Sequence, residues 1–167
     1  MKRVLVVIIA TVFPVCLFAG QLPSYQKFCA QLKNIPGWQA EKCEGMNMTG
    51  TPVGEMASAT RSYDKGSKHI DVSVFCGMQA MGYWAPFASN MQVDSSEGFV
   101  KITTVNGFPV GIQHSKEDKT GGVIVCLDKK AGQHKAVFVV NYEGMGWKEA
   151  LGIAKKFDWK AMEKLFK

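Results

Sequence analysis

Between Glu55 and Cys76 the chain carries its most restrictive pattern. Two extended runs, Glu55 to Tyr63 and Lys68 to Cys76, flank Asp64-Lys65-Gly66-Ser67, a turn whose glycine accepts positive φ. In the second run Ile70, Val72, Val74 and Cys76 share one parity, and Asp71 and Ser73 share the other. Side chains alternate across a strand, so the pattern asks for a sheet with one buried and one wet face, as antiparallel sheets have.

The remainder extends that sheet. Phe99 to Val105 turns at Asn106-Gly107, the strongest short hairpin signal, into Phe108 to His114. Gly122 to Asp128 and Ala136 to Tyr142 make two more strands, the last apolar at both parities in Val137-Phe138-Val139-Val140, as for a strand covered on both sides. Leu22 to Ile35 reads as an amphipathic helix stopped by Pro36-Gly37, followed by weakly extended sequence from Trp38 to Met48. Trp147, Leu151, Ala154 and Phe157 repeat at helical spacing, and Asp158 is placed to cap a final turn. The expected fold is α+β: an antiparallel sheet of about six strands with N- and C-terminal helices packed on one face, in a single domain.

Met1-Lys2-Arg3, an apolar stretch and the small-residue end at Ala19 have the three parts of a secretory signal. The apolar run from Val4 to Ala19 contains Pro14 and is shorter than the roughly 20 residues of a spanning helix. Residues 1–19 are therefore expected to be cleaved, leaving 20–167 as the domain, periplasmic or secreted, with no stable membrane insertion. Losing Lys2 and Arg3 lowers the formal charge from +6 to +4, too small an excess to argue for nucleic acid. With Cys16 in the discarded segment, Cys29, Cys43, Cys76 and Cys126 remain. An even number in an exported chain favours disulfides, and no Cys-x-x-Cys offers a redox pair or zinc knuckle. Of three possible pairings we favour Cys29–Cys43 with Cys76–Cys126. The first would tie the opening helix to the strand after it, and the second would join two distant strands.

No motif announces catalysis, a metal or a cofactor. His69, His114 and His134 are scattered, without the close spacing metal sites commonly use. Met46-x-Met48 and Met78-x-x-Met81 offer soft thioethers suited to copper, but methionine also fills irregular cores. There is no Gly-x-Ser-x-Gly, and Asp94, Glu97, Glu117 and Asp118 lie in polar loop sequence rather than as a placed carboxylate pair. The basic, amphipathic segment from Lys148 to Lys167 suits a helix packed on a sheet better than a membrane-surface helix, because a domain of this size needs that apolar face. Asn47-Met48-Thr49 fits the N-glycosylation pattern, which matters only in a eukaryotic source.

The segment Gly77 to Asn90 stands out, with Met78, Met81, Tyr83, Trp84 and Phe87 too apolar for a plain connection. We expect a helix or compact loop whose Trp84 stays partly exposed, so that Met81, Tyr83, Trp84 and Phe87 form a binding surface.

Ile35-Pro36-Gly37-Trp38 after the first helix, Ala59-Thr60-Arg61-Ser62-Tyr63 leading into the hairpin and Phe157-Asp158-Trp159-Lys160-Ala161-Met162 near the end resemble a diffuse group of small exported bacterial proteins of unknown function. The layout is similar in outline to the PsbP/Mog1-like α/β/α sandwich. The resemblance implies a non-catalytic accessory or binding role, and no site residue carries over. Another envelope protein or a small ligand is the expected partner. The alternatives are a small secreted enzyme with a site near residues 77–90 and a methionine-based copper binder.

Overall fold

The first hairpin forms where its pattern places it, and the sheet grows outward from it. The computed structural model describes residues 22–50, 54–89, 92–128 and 136–166; the expected signal segment, His134 and Met91 lie outside them. In chain order the elements are α1 (Tyr25–Cys29), β1 (Gln39–Ala40), β2 (Glu44–Met48), β3 (Met56–Lys65), β4 (Lys68–Cys76), α2 (Met78–Ala88), β5 (Val93–Asp94), β6 (Gly98–Val105), β7 (Phe108–Ser115), β8 (Thr120–Cys126), β9 (Ala136–Glu143), α3 (Trp147–Ala154) and α4 (Trp159–Lys164). The fold is α+β, and the strands make one antiparallel sheet of order β1-β3-β4-β9-β8-β7-β6-β5, with β2 also on β3. The six expected strands are present. Three short pieces at the sheet's edges, β1, β2 and β5, raise the number among the described residues to nine.

Turn chemistry sets the registers. β3 and β4 close on a two-residue turn with Lys65 opposite Lys68, and Gly66 supplies its positive φ of 62°. Asn106 and Gly107 both take positive φ, 52° and 78°, which matches the twist of the β6–β7 hairpin.

One face of the sheet buries Ile70, Val72, Val74, Val123, Val125, Phe138 and Val140 beneath α1, α3 and α4, through Phe28, Ile153, Trp159 and Met162. Asp158 caps α4 as expected, its Oδ1 accepting from the Ala161 N–H at 2.9 Å. Arg61 clamps the N-terminal segment to β3: its guanidinium donates to the carbonyls of Glu41 and Leu32 and to Asn34 Oδ1, each at 2.7 Å. Beside it, the Tyr63 hydroxyl donates to the Lys33 carbonyl at 2.8 Å, and burial raises its pKa.

The expectation of helices on one face is corrected by α2, which covers the other. β9 pairs with β4, so the chain leaving β4 must cross β9, β8, β7 and β6 to reach the far edge at β5. A connection of that reach has to lie on a face of the sheet. The 11-residue α2, about 16 Å long, does most of the crossing and seals a second core of Ala80, Trp84, Phe87, Ile124, Cys126, Val137 and Val139. Gly111 permits the close approach, since a Cβ there would stand 2.6 Å from the Phe87 ring.

Cys29 and Cys43 form a disulfide, as expected. The expected Cys76–Cys126 bridge is corrected: both are buried thiols. Cys76 stands opposite Ala136 and Cys126 opposite Val137. Consecutive residues of β9 point to opposite faces, and β9 separates the two strands, so the sulfurs belong to different cores.

Candidate functional site

A single helix cannot cover this sheet from end to end. With side chains α2 is about 10–12 Å wide, whereas an eight-residue strand such as β9 runs about 27 Å. The uncovered half of that face is polar. Ser62, Asp71, Asn141, Gly122 and Gln113 stand side by side across β3, β4, β9, β8 and β7. In the next row Asp64, His69 and Glu143 are cross-strand neighbours.

Where α2 meets this shelf there is a groove of about 310 Å³, lined by Gly82, Tyr83, Pro86 and Phe87 on the helix and by Gln113, Gly122, Ile124 and Asn141 on the sheet. Tyr83, half-buried, lies flat on Phe75 with ring centroids 4.5 Å apart and 14° between planes, which fixes it as a wall. Gly122 leaves bare backbone as floor. The carbamoyl groups of Gln113 and Asn141 bring donors and acceptors without net charge. An aromatic wall beside neutral amides suits a polar, uncharged ligand better than an ion.

The expected site residues divide. Tyr83 and Phe87 line the groove, although Phe87 is buried. Trp84 is only 4% exposed, packed against Phe87 with centroids 5.5 Å apart in the second core, so the expectation of an exposed Trp84 is corrected. It lies beneath α2 because Ala80, Trp84 and Phe87 fall on one side at helical spacing. Met81 and Met78, each 51% exposed, leave that side for solvent. Nothing local in the sequence marks the groove's sheet residues: Gln113 and Asn141 are single polar positions near strand ends, and Gly122 is a glycine at the start of an apolar run.

Beside the groove runs a chain of polar contacts. Asp64 Oδ1 meets His69 Nδ1 at 2.8 Å, His69 Nε2 lies 3.4 Å from Asp71 Oδ1, and the Ser62 hydroxyl donates to Asp71 Oδ1 at 2.6 Å. The hydrogen bond to Asp64, with both carboxylates' charges, raises the His69 pKa above its ordinary value against a smaller opposing effect of burial. Ser62 engages a carboxylate rather than the imidazole, so the order differs from a nucleophile–base pair. Among the described residues no cluster of three His, Cys, Asp or Glu side chains is arranged to hold a metal ion.

No helix among the described residues is long and apolar enough to cross a membrane. No family model matches the chain, and no similar curated protein or solved structure was found.

Proposed function

We propose that this is an exported, periplasmic accessory or binding protein, non-catalytic and acting as one domain, whose ligand site is the groove between α2 and the polar half of the sheet. The observation that carries the reading is that wall: Tyr83 is stacked on Phe75 and faces the amides of Gln113 and Asn141 across the bare backbone of Gly122. These groups are held by sheet register and ring stacking, so a small polar ligand would meet a preformed surface and spend little free energy ordering it. A basic N-terminus followed by an apolar run, and the Cys29–Cys43 disulfide, support the exported compartment.

The test is native mass spectrometry of the protein purified from its own envelope fraction, compared with Gly122→Val. The Gly122 backbone has ordinary φ and a Cβ there meets only side-chain ends, Ile124 Cδ1 at 3.1 Å and Asn141 Oδ1 at 3.4 Å. A β-branched residue suits a strand, so the variant fills the groove while the sheet folds. A small molecule retained by the wild type and lost from Gly122→Val supports the site; equal retention by both overturns it.

A further inference from the structure

A second cluster lies on the other side of the sheet, at the β6 edge, and shares no residue with the groove. Lys101 on β6 extends over the Trp147 indole at the start of α3, its Nζ 3.4 Å from the ring centroid and 4.9 Å from that of Phe99. The next residue of α3, Lys148, brings its own Nζ to 5.7 Å from the same Trp147 ring. Two ammonium groups thus share one indole. Among the described residues neither has a carboxylate within ion-pair distance; Glu149 pairs with Lys68 at 2.7 Å and Asp94 with Lys116 at 3.0 Å. Each ammonium has three N–H donors and the ring face engages only part of them, so both keep donors to offer. A cleft of about 470 Å³ opens beside Lys101, with Phe99, Val93 and Val100 giving apolar wall and Lys101, Gln92 and the Lys116–Asp94 ion pair giving polar wall.

We propose that Lys101 and Lys148, braced on Trp147, bind the head group of a small organic anion whose apolar body lies in the cleft along Phe99. An anion placed there supplies the counter-charge that the pair lacks and relieves the repulsion between them. Partial burial and the Lys148 charge already hold the Lys101 ammonium below the ordinary lysine pKa, in keeping with a cation short of a partner. The apolar wall separates this ligand from inorganic ions, which have nothing to place against Phe99.

The test titrates the full-length mature protein with benzoate and phenyl phosphate, which differ in head group. Benzamide controls for charge and inorganic phosphate controls for body. Calorimetry reads affinity, and the Trp147 indole N–H resonance, assigned with Trp147→Phe, reads location. Benzoate or phenyl phosphate should bind saturably and shift that resonance, the tighter of the two naming the head group. Lys148→Gln, an exposed change that leaves the fold alone, should weaken binding about tenfold, as for loss of one charge-assisted hydrogen bond. Lys101→Met keeps a chain over the indole but no charge and should abolish it, with an unchanged circular dichroism spectrum as the folding control. Benzamide binding as tightly as benzoate, inorganic phosphate matching phenyl phosphate, or an unchanged affinity in Lys148→Gln would each overturn the proposal.

Discussion

Cys76 and Cys126 stand two strands apart on opposite faces of the sheet, level with the consecutive residues Ala136 and Val137 of β9. Each sulfur is enclosed by a different core. Burial raises both thiol pKa values, that of Cys126 to about 11, and its Sγ donates to the Asp128 carbonyl at 3.0 Å.

Two thiols are therefore expected among the described residues. Alkylation of the native protein should label neither Cys76 nor Cys126, since the thiolate is the reactive form and both are buried. Alkylation after denaturation without reductant should label both, while Cys29 and Cys43 stay protected until reduced. Peptide mapping that found a Cys76–Cys126 cross-link in unreduced protein would contradict this sheet register.

Trp84→Ala should destabilise the fold by about 3–5 kcal/mol, the usual cost of emptying a buried aromatic site. The loss is expected because Trp84 and Phe87 fill the space between α2 and the sheet. Urea denaturation is the measurement. A change below about 1 kcal/mol, typical of a surface position, would show that α2 does not seal this face.

Arg61→Lys keeps the charge but loses the planar fork that reaches Glu41, Leu32 and Asn34 together. The expected cost is about 2 kcal/mol, from charge-assisted bonds lost to two carbonyls that then lack a donor. Amide hydrogen exchange should accelerate in the 32–41 segment before the rest of the sheet. Uniform acceleration would mean that Arg61 supports the whole fold rather than this clamp.

His69 should make stability depend on pH. Its pKa is raised in the folded state, chiefly by the hydrogen bond to Asp64. The contribution is thus fully present below the ordinary histidine value near 6.5 and fades as pH rises through the higher folded value. His69→Gln should be less stable than wild type in mildly acidic buffer, with the gap narrowing as pH rises past neutral. A gap that widened with rising pH would mean that the neutral imidazole is the favoured form. The pair is exposed, so the effect should be small and should shrink with added salt.

What the chain determines by itself is local and periodic. The alternation of Ile70, Val72 and Val74 with Asp71 and Ser73, the turns at Gly66 and Asn106-Gly107, and the Asp158 cap depend on neighbours within a few residues. Six strands and the last helix could accordingly be placed with their ends nearly right. Tertiary structure decided everything that depends on strand order. Insertion of β9 between β4 and β8 turned α2 into a crossover, which put Trp84 indoors, sent the two thiols to separate faces and left half of one face bare. The same register set the amides of Gln113 and Asn141 beside Gly122 from three distant stretches of sequence. Period-two alternation tells each strand which residues share a side. It does not say which strand comes next or what lies above, because those are fixed by the summed burial of the whole chain rather than by any one segment.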